Sequence, residues 1–104
     1  MNLNQLKLFY LAIKRQSLSN AAAELNITQP AVTKGIQRLQ EYYEIKFVER
    51  QGIKLVLTKA GTALYEIADK IFTMEKILSA ISYNAVPALV NTSFIHWRST
   101  NLIS

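Results

Sequence analysis

Hydrophobic residues recur along this chain with helical spacing in four separate stretches. Leu6, Phe9, Tyr10 and Ile13 fall at i, i+3, i+4 and i+7, which predicts a first helix over residues 3–15 with one apolar face. Gln16-Ser17 interrupts the pattern, and Ser17 is a good N-cap for a second helix over 18–25, where Leu18, Ala21, Ala22 and Leu25 repeat the spacing. Small alanines let another helix approach closely. Asn26 suits a left-handed helix end, and Ile27 is expected to plug the following turn into the core. A third helix opens at Thr28 as N-cap, with Pro30 in the first turn, where its missing N–H costs nothing. Its buried stripe is Val32, Ile36, Leu39 and Tyr43.

The pattern then shortens. Phe47 to Arg50 and Lys54 to Leu57 read as two strands, with Gln51-Gly52 at the bend and Leu55 and Leu57 directed inward. Thr58 is a plausible N-cap for a long helix. In it Leu64, Ile67, Ile71, Met74, Leu78, Ile81 and Ala85 keep strict 3,4 spacing, with Tyr65, Ala68 and Phe72 widening the stripe. So regular a seam over three heptads predicts a dimerisation surface: its first turns cover the protein's own core and its later turns meet a partner. From Ser82 onward periodicity fades, and a weak strand signal lies near 89–97. The expected architecture is mostly α: a winged helix-turn-helix with a small β-hairpin wing and a long C-terminal linker and dimerisation helix. Its expected divisions are 1–58 for the winged part, 59–85 for the linker helix and 86–104 for an irregular tail.

Composition sharpens this picture. The 104 residues suit one compact domain with an extension, and half of them are hydrophobic, enough for a core. No signal peptide or transmembrane span is visible, and cysteine is absent, so disulfides and thiolate metal sites are excluded and a cytoplasmic setting is expected. The net charge of +5 resides wholly in residues 1–60, which hold nine basic residues against four acidic ones. A polyanion partner follows naturally. The outer face of the third helix points to double-stranded DNA. It carries Gln29, Thr33, Lys34, Gln37 and Arg38, rich in hydrogen-bond donors, with an acid (Glu41) only near its far end. A merely solvated face mixes Glu and Lys in i,i+4 pairs. Gln29 can pair with adenine N6 and N7, Thr33 can reach a purine edge or a thymine methyl, and Lys34 and Arg38 can meet guanine or phosphate. Pro30 and Ala31 offer a small apolar surface to thymine methyls, and Arg50 and Lys54 flank the wing turn, where backbone phosphate or the minor groove is expected. Gly35 suits a place where another element approaches. His96 stands alone in the tail, and no phosphate loop, carboxylate pair or ligand cluster accompanies it, so neither catalysis nor a cofactor is expected.

These residues resemble the N-terminal DNA-binding domain of LysR-type transcriptional regulators. The resemblance is carried by Leu3-Asn4-Gln5-Leu6 with Phe9, Ala21-Ala22 with Leu25, Thr28-Gln29-Pro30-Ala31-Val32-Thr33 with Ile36 and Leu39, Glu49-Arg50 with Gly52, and Leu57-Thr58-Lys59-Ala60-Gly61. It covers residues 1–82 and implies a winged helix-turn-helix, a long helix pairing two subunits, and binding to interrupted palindromes in bacterial promoters. By position it places base reading on Gln29, Pro30, Ala31, Thr33 and Lys34. The chain departs from the family pattern at Glu44, where glycine is common, at Phe47-Val48, where leucine-phenylalanine is usual, and at Ile53, a wing position often held by arginine. The tail does not resemble the effector-binding domain that follows the linker helix in the family, so a truncated member is expected. A truncated member has a rival role: pairing with a full-length regulator through the Leu64–Ala85 seam.

Overall fold

The computed structural model describes residues 2–82; the tail strand and His96 of the sequence reading, like Ala85, lie outside them. The element order is α1 (Leu3–Lys14), α2 (Leu18–Leu25), α3 (Gln29–Tyr43), β1 (Val48–Gln51), β2 (Lys54–Leu57) and α4 (Lys59–Ala80). Each helix starts on a side chain that accepts from the first turn's orphan N–H groups. Asn2 Oδ1 accepts from the N–H groups of Asn4 and Gln5, Ser17 Oγ from Asn20, Thr28 Oγ1 from Ala31, and Thr58 Oγ1 from Gly61. The ends are set as locally: Gln16, Asn26 and Glu44 all sit in the left-handed region, with φ of 52, 59 and 54°. Asn26 matches its expected role. Glu44 adopts there a backbone that an L side chain resists by about 1–2 kcal/mol.

The described residues fall into two units, 2–71 and 72–82. In the first, α1 packs against α2 and α3 around Leu6, Phe9, Val32 and Leu39, all essentially inaccessible to solvent. Burial of each contributes about 1.5–3 kcal/mol relative to exposure. Ala21 and Ala22 are buried and let α2 lie close to α3, as their size suggests. A Cβ on Gly35 would overlap Leu8 Cδ1, so α1 is the element that approaches this glycine.

Two expected core positions are corrected. Ile27 is 40% exposed. The left-handed Asn26 turns the chain back sharply, its N–H and that of Ile27 tied to Ala23 and Ala22 carbonyls, so Ile27 rides on the outer rim of the turn. Tyr43 is 36% exposed because it is the last residue of α3, covered on one side by Phe47 at 6.3 Å between rings and edged by Tyr42 at 4.8 Å.

The hairpin is antiparallel, pairing Val48 with Leu57, Arg50 with Leu55 and Gln51 with Lys54. Its loop is therefore Gly52-Ile53, one residue later than the expected bend. Gly52 has φ +66°, which a two-residue type II′ loop requires at its first position. The hairpin is fastened through Phe47 and its neighbours. Gln40 Oε1 accepts from the N–H groups of Phe47 (2.8 Å) and Val48 (3.0 Å), and the Phe47 ring lies 6.0 Å from that of Phe9. Thr58 donates its N–H to Phe47 O (3.0 Å) and its hydroxyl to Lys46 O (2.6 Å), which joins the start of α4 to the start of β1.

Within the first unit α4 is held to α1. Ala68 is fully buried, Tyr65 stacks on Tyr10 at 5.3 Å, and the Tyr10 hydroxyl donates to Asp69 Oδ1 at 2.6 Å while accepting from Lys14 Nζ at 3.1 Å. Burial raises the Tyr65 phenol above its ordinary pKa, with Tyr10 and Asp69 adding to it. The hydrogen bond to Tyr10 raises Lys14. The seam residues divide: Leu64 and Ile71 are half-buried, whereas Ile67 is exposed. In the second unit Met74, Leu78 and Ile81 are exposed, as is Ile77 beside them.

Candidate nucleic-acid interface

The polar side of α3 lies open because the helix spends its other side on the core. Val32, Gly35, Ile36 and Leu39 are buried, while Gln29, Pro30, Ala31, Lys34, Gln37 and Arg38 are exposed and Thr33 is half-buried. Gln29 is the first residue of the helix, so its side chain stands at the positive end of the helix dipole. Arg50 and Lys54 are exposed on the hairpin. Among the described residues no ion pair engages Lys34, Arg38, Arg50 or Lys54. By contrast Arg15, away from α3, is paired with Glu24 at 2.8 Å, and this contact lowers the Glu24 pKa and raises that of Arg15.

Three surface clefts group these residues. A cleft of about 190 Å³ sets Thr33 and Gln37 of α3 opposite Lys46, Glu49 and Arg50 at the hairpin. A larger one, about 680 Å³, brings Gln29 and Ser19 together with Arg50, Ile53 and Lys54. Arg38 is set apart: it shares a cleft of about 550 Å³ with Asn2, Gln5 and Tyr42 at the start of α1. Gln29 thus lies on one cleft and Thr33 and Gln37 on another, the two sharing Arg50 of the hairpin, while Arg38 lies on a third beside the α1 N-terminus and Pro30, Ala31 and Lys34 line none of the three. Ile53, at the wing tip, is 97% exposed.

Sequence reasoning missed two members of this surface. Ser19 donates its hydroxyl to Gln29 Oε1 at 2.9 Å, and Lys46 lines the smaller cleft. Neither has a periodicity that marks it. Ser19 is simply an exposed polar residue in the first turn of α2, and its partner is ten residues distant. Among the described residues no group of His, Cys, Asp and Glu could hold a metal ion, and no helix is long and apolar enough to cross a membrane.

The chain has known relatives. The chain is 42% identical over 62 residues to YbhD, an uncharacterized HTH-type transcriptional regulator of Escherichia coli (strain K12), a match that covers 60% of this chain and 20% of that protein. It is 34% identical over 90 residues to the HTH-type transcriptional regulator TdcA of the same organism, covering 86% of this chain and 29% of TdcA. The chain therefore spans less than a third of the length of either relative. Among solved structures, the BenM DNA-binding domain in complex with catB site 1 DNA superposes with a TM-score of 0.70 at 29% identity, covering 79% of this chain and 92% of that one. The model of the bacterial regulatory helix-turn-helix proteins of the lysR family matches residues 3–62, more than half of the chain and the whole span from α1 through the wing to the start of α4. The chain belongs to the lysR family of bacterial regulatory helix-turn-helix proteins.

Proposed function

We propose that the chain is a sequence-specific regulator of transcription that inserts α3 into the major groove of promoter DNA in the bacterial cytoplasm and reaches the flanking backbone with its wing. One observation carries this reading: the exposed face of α3 presents Gln29, Lys34, Gln37 and Arg38, alongside Arg50 and Lys54, and among the described residues no ion pair neutralises these cations. Such a face costs electrostatic self-repulsion unless a polyanion meets it. The likeness to a DNA-binding domain crystallised on DNA supports the same assignment. In the proposed division of labour, Gln29, Pro30, Ala31, Thr33 and Lys34 face bases, and Gln37, Arg38, Arg50 and Lys54 face phosphate or the groove edge. The role is binding rather than catalysis.

The exposed seam on α4 supports a dimer. In the second unit Met74, Leu78 and Ile81 are exposed apolar residues suited to a matching helix, as is Ile67 in the first, and two subunits so paired would present two recognition helices to successive major grooves. The same residues suit pairing with a longer regulator of the family. The test combines selection of binding sites from random duplex DNA with a solution mass. A selected, two-fold-symmetric site and a dimeric mass are expected. Gln29→Ala should lose about 1–3 kcal/mol at particular bases, whereas Lys54→Ala should weaken every sequence alike and reduce the salt slope by roughly 1. Gln29→Ala binding with unchanged affinity and site preference would refute the recognition assignment. A mass showing monomer alone, with heterodimer formed on adding a longer relative, would favour the second kind of pairing.

A further inference from the structure

The geometry points to Ser19 of α2 as a specificity-determining positioning residue, which holds the Gln29 carboxamide in the orientation used to read a base. The inference rests on the DNA-binding reading above and goes beyond it, because Ser19 lies outside the recognition helix. Its hydroxyl donates to Gln29 Oε1 at 2.9 Å, and both side chains line the same open cleft beside Arg50 and Lys54. A glutamine at the exposed first position of a helix has three flexible torsions and a terminal amide with two nearly equivalent orientations, which exchange its donor and acceptor ends. Left to itself, such a side chain can offer either end to a groove and discriminates poorly.

The Ser19 hydroxyl removes that ambiguity. With Oε1 turned to Ser19, the amide nitrogen is the end left to donate, and the second lone pair of Oε1 still accepts. Donor and acceptor in that order match adenine N7 and N6–H in the major groove. The bond is solvent-exposed in the free protein, so water competes with it and it contributes little to folding. When DNA covers the cleft and excludes water, the same bond strengthens. Its effect therefore falls on the bound state, and on the one base pair that Gln29 meets. Ser19 sits in the first turn of a helix capped by Ser17, so alanine there leaves the cap and the buried Ala21 and Ala22 untouched.

The experiment uses the full chain and the duplex it enriches from a random library, with each position then varied through all four base pairs. The position read by Gln29 is the one whose preference disappears in Gln29→Ala. At that position Ser19→Ala is expected to cut the preference roughly three- to tenfold, with other positions and the salt slope unchanged. Ser19→Thr, which keeps the hydroxyl, should restore it. In a Gln29→Ala background Ser19→Ala should have no further effect. A loss spread evenly over all sequences and persisting in that background would mean that Ser19 contacts phosphate for itself, and would overturn the proposal, as would an unaltered preference in Ser19→Ala. The failure of the underlying reading is distinct: the wild-type chain would then enrich no sequence at all, and both readings would fall together.

Discussion

Gly61 stands where α4 crosses the start of the hairpin, and replacing it with alanine should be the most damaging single-methyl change in the chain. A Cβ there would overlap the Phe47 carbonyl oxygen and lie 2.8 Å from the carbonyl carbon, with Leu57 Cδ2 at 3.2 Å. The obstacle is backbone, which cannot rotate away. If the contact is kept, the overpacking costs about 3 kcal/mol, the upper end of the usual range. If α4 retreats instead, Thr58 loses its bonds to Phe47 O (3.0 Å) and Lys46 O (2.6 Å), together about 2 kcal/mol, and a buried carbonyl is left without its donor, about 1 kcal/mol more. Alanine returns about 1 kcal/mol of helix propensity by either route. The net loss is about 2 kcal/mol, or a fall of about 8–16 °C in Tm for a domain of this size. Urea unfolding followed by helical circular dichroism measures it. Gly35→Ala and Gly52→Ala are the internal comparison. At Gly35 the added methyl meets only the end of the flexible Leu8 side chain, and at Gly52 it meets nothing, leaving the positive-φ penalty of about 1–2 kcal/mol. Gly61→Ala as stable as the wild type, or less destabilising than Gly35→Ala, would refute the argument.

Gln40→Leu should cost about 2–4 kcal/mol in the same assay, since the Phe47 and Val48 N–H groups lose their shared acceptor, while Gln40→Glu should keep most of the stability. Glu44→Gly should stabilise by about 1 kcal/mol, because it relieves a left-handed non-glycine residue; an unchanged unfolding midpoint would count against strain at this turn. Tyr65 contributes to alkaline sensitivity. Its folded-state pKa lies above the unfolded value of 10.0, so the stability it supplies is intact below that pH and is lost as pH rises through the folded-state pKa. Tyr65→Phe should therefore lose less stability between neutral pH and pH values above about 10 than the wild type does. Leu78→Asp, at an exposed apolar position, should convert the proposed dimer to monomer by analytical ultracentrifugation with little loss of helix; a dimer that survives would place the interface elsewhere.

The fold was legible where local chemistry and periodicity agree. Ser17, Thr28 and Thr58 announce helix starts because a cap is a bond within three residues, and Asn26 announces an end because its backbone preference is its own. The long-range fastenings were not legible. Nothing in the spacing of Gln40 marks it as the acceptor for β1, since a polar residue beside the buried stripe reads as solvent-facing until the chain returns to it. Ile27 and Tyr43 misled for a related reason: both continue an apolar pattern to a helix end, Ile27 just past the left-handed Asn26 and Tyr43 just before the left-handed Glu44, where the chain turns away from the core.

The candidate recognition face stands out for the opposite cause, that it is defined by what it lacks. A helix side with amides and cations and an acid only near its far end has no folding role to explain it; Gln29, Lys34, Gln37 and Arg38 are exposed, Thr33 is half-buried, and among the described residues no ion pair engages Lys34 or Arg38, although Glu49 of the hairpin lines the cleft beside Thr33 and Gln37. What sequence could not supply is how that face is organised. The division that sets Arg38 beside the start of α1, and Gln29 beside Ser19 and the hairpin, depends on α1 and α2 meeting α3 at particular points along its length. Gly35 marks one of those points: Leu8 Cδ1 lies where a Cβ would be, so a residue with a Cβ there must displace the Leu8 side chain or set α1 slightly back. A methyl group on the buried side of α3 can therefore act on the exposed side. Where Gly35→Ala moves α1, it changes how Asn2 and Gln5 sit beside Arg38, so that DNA affinity falls in this variant at a temperature where the fold is intact. Unchanged affinity in that variant would show that the two faces of the helix are independent.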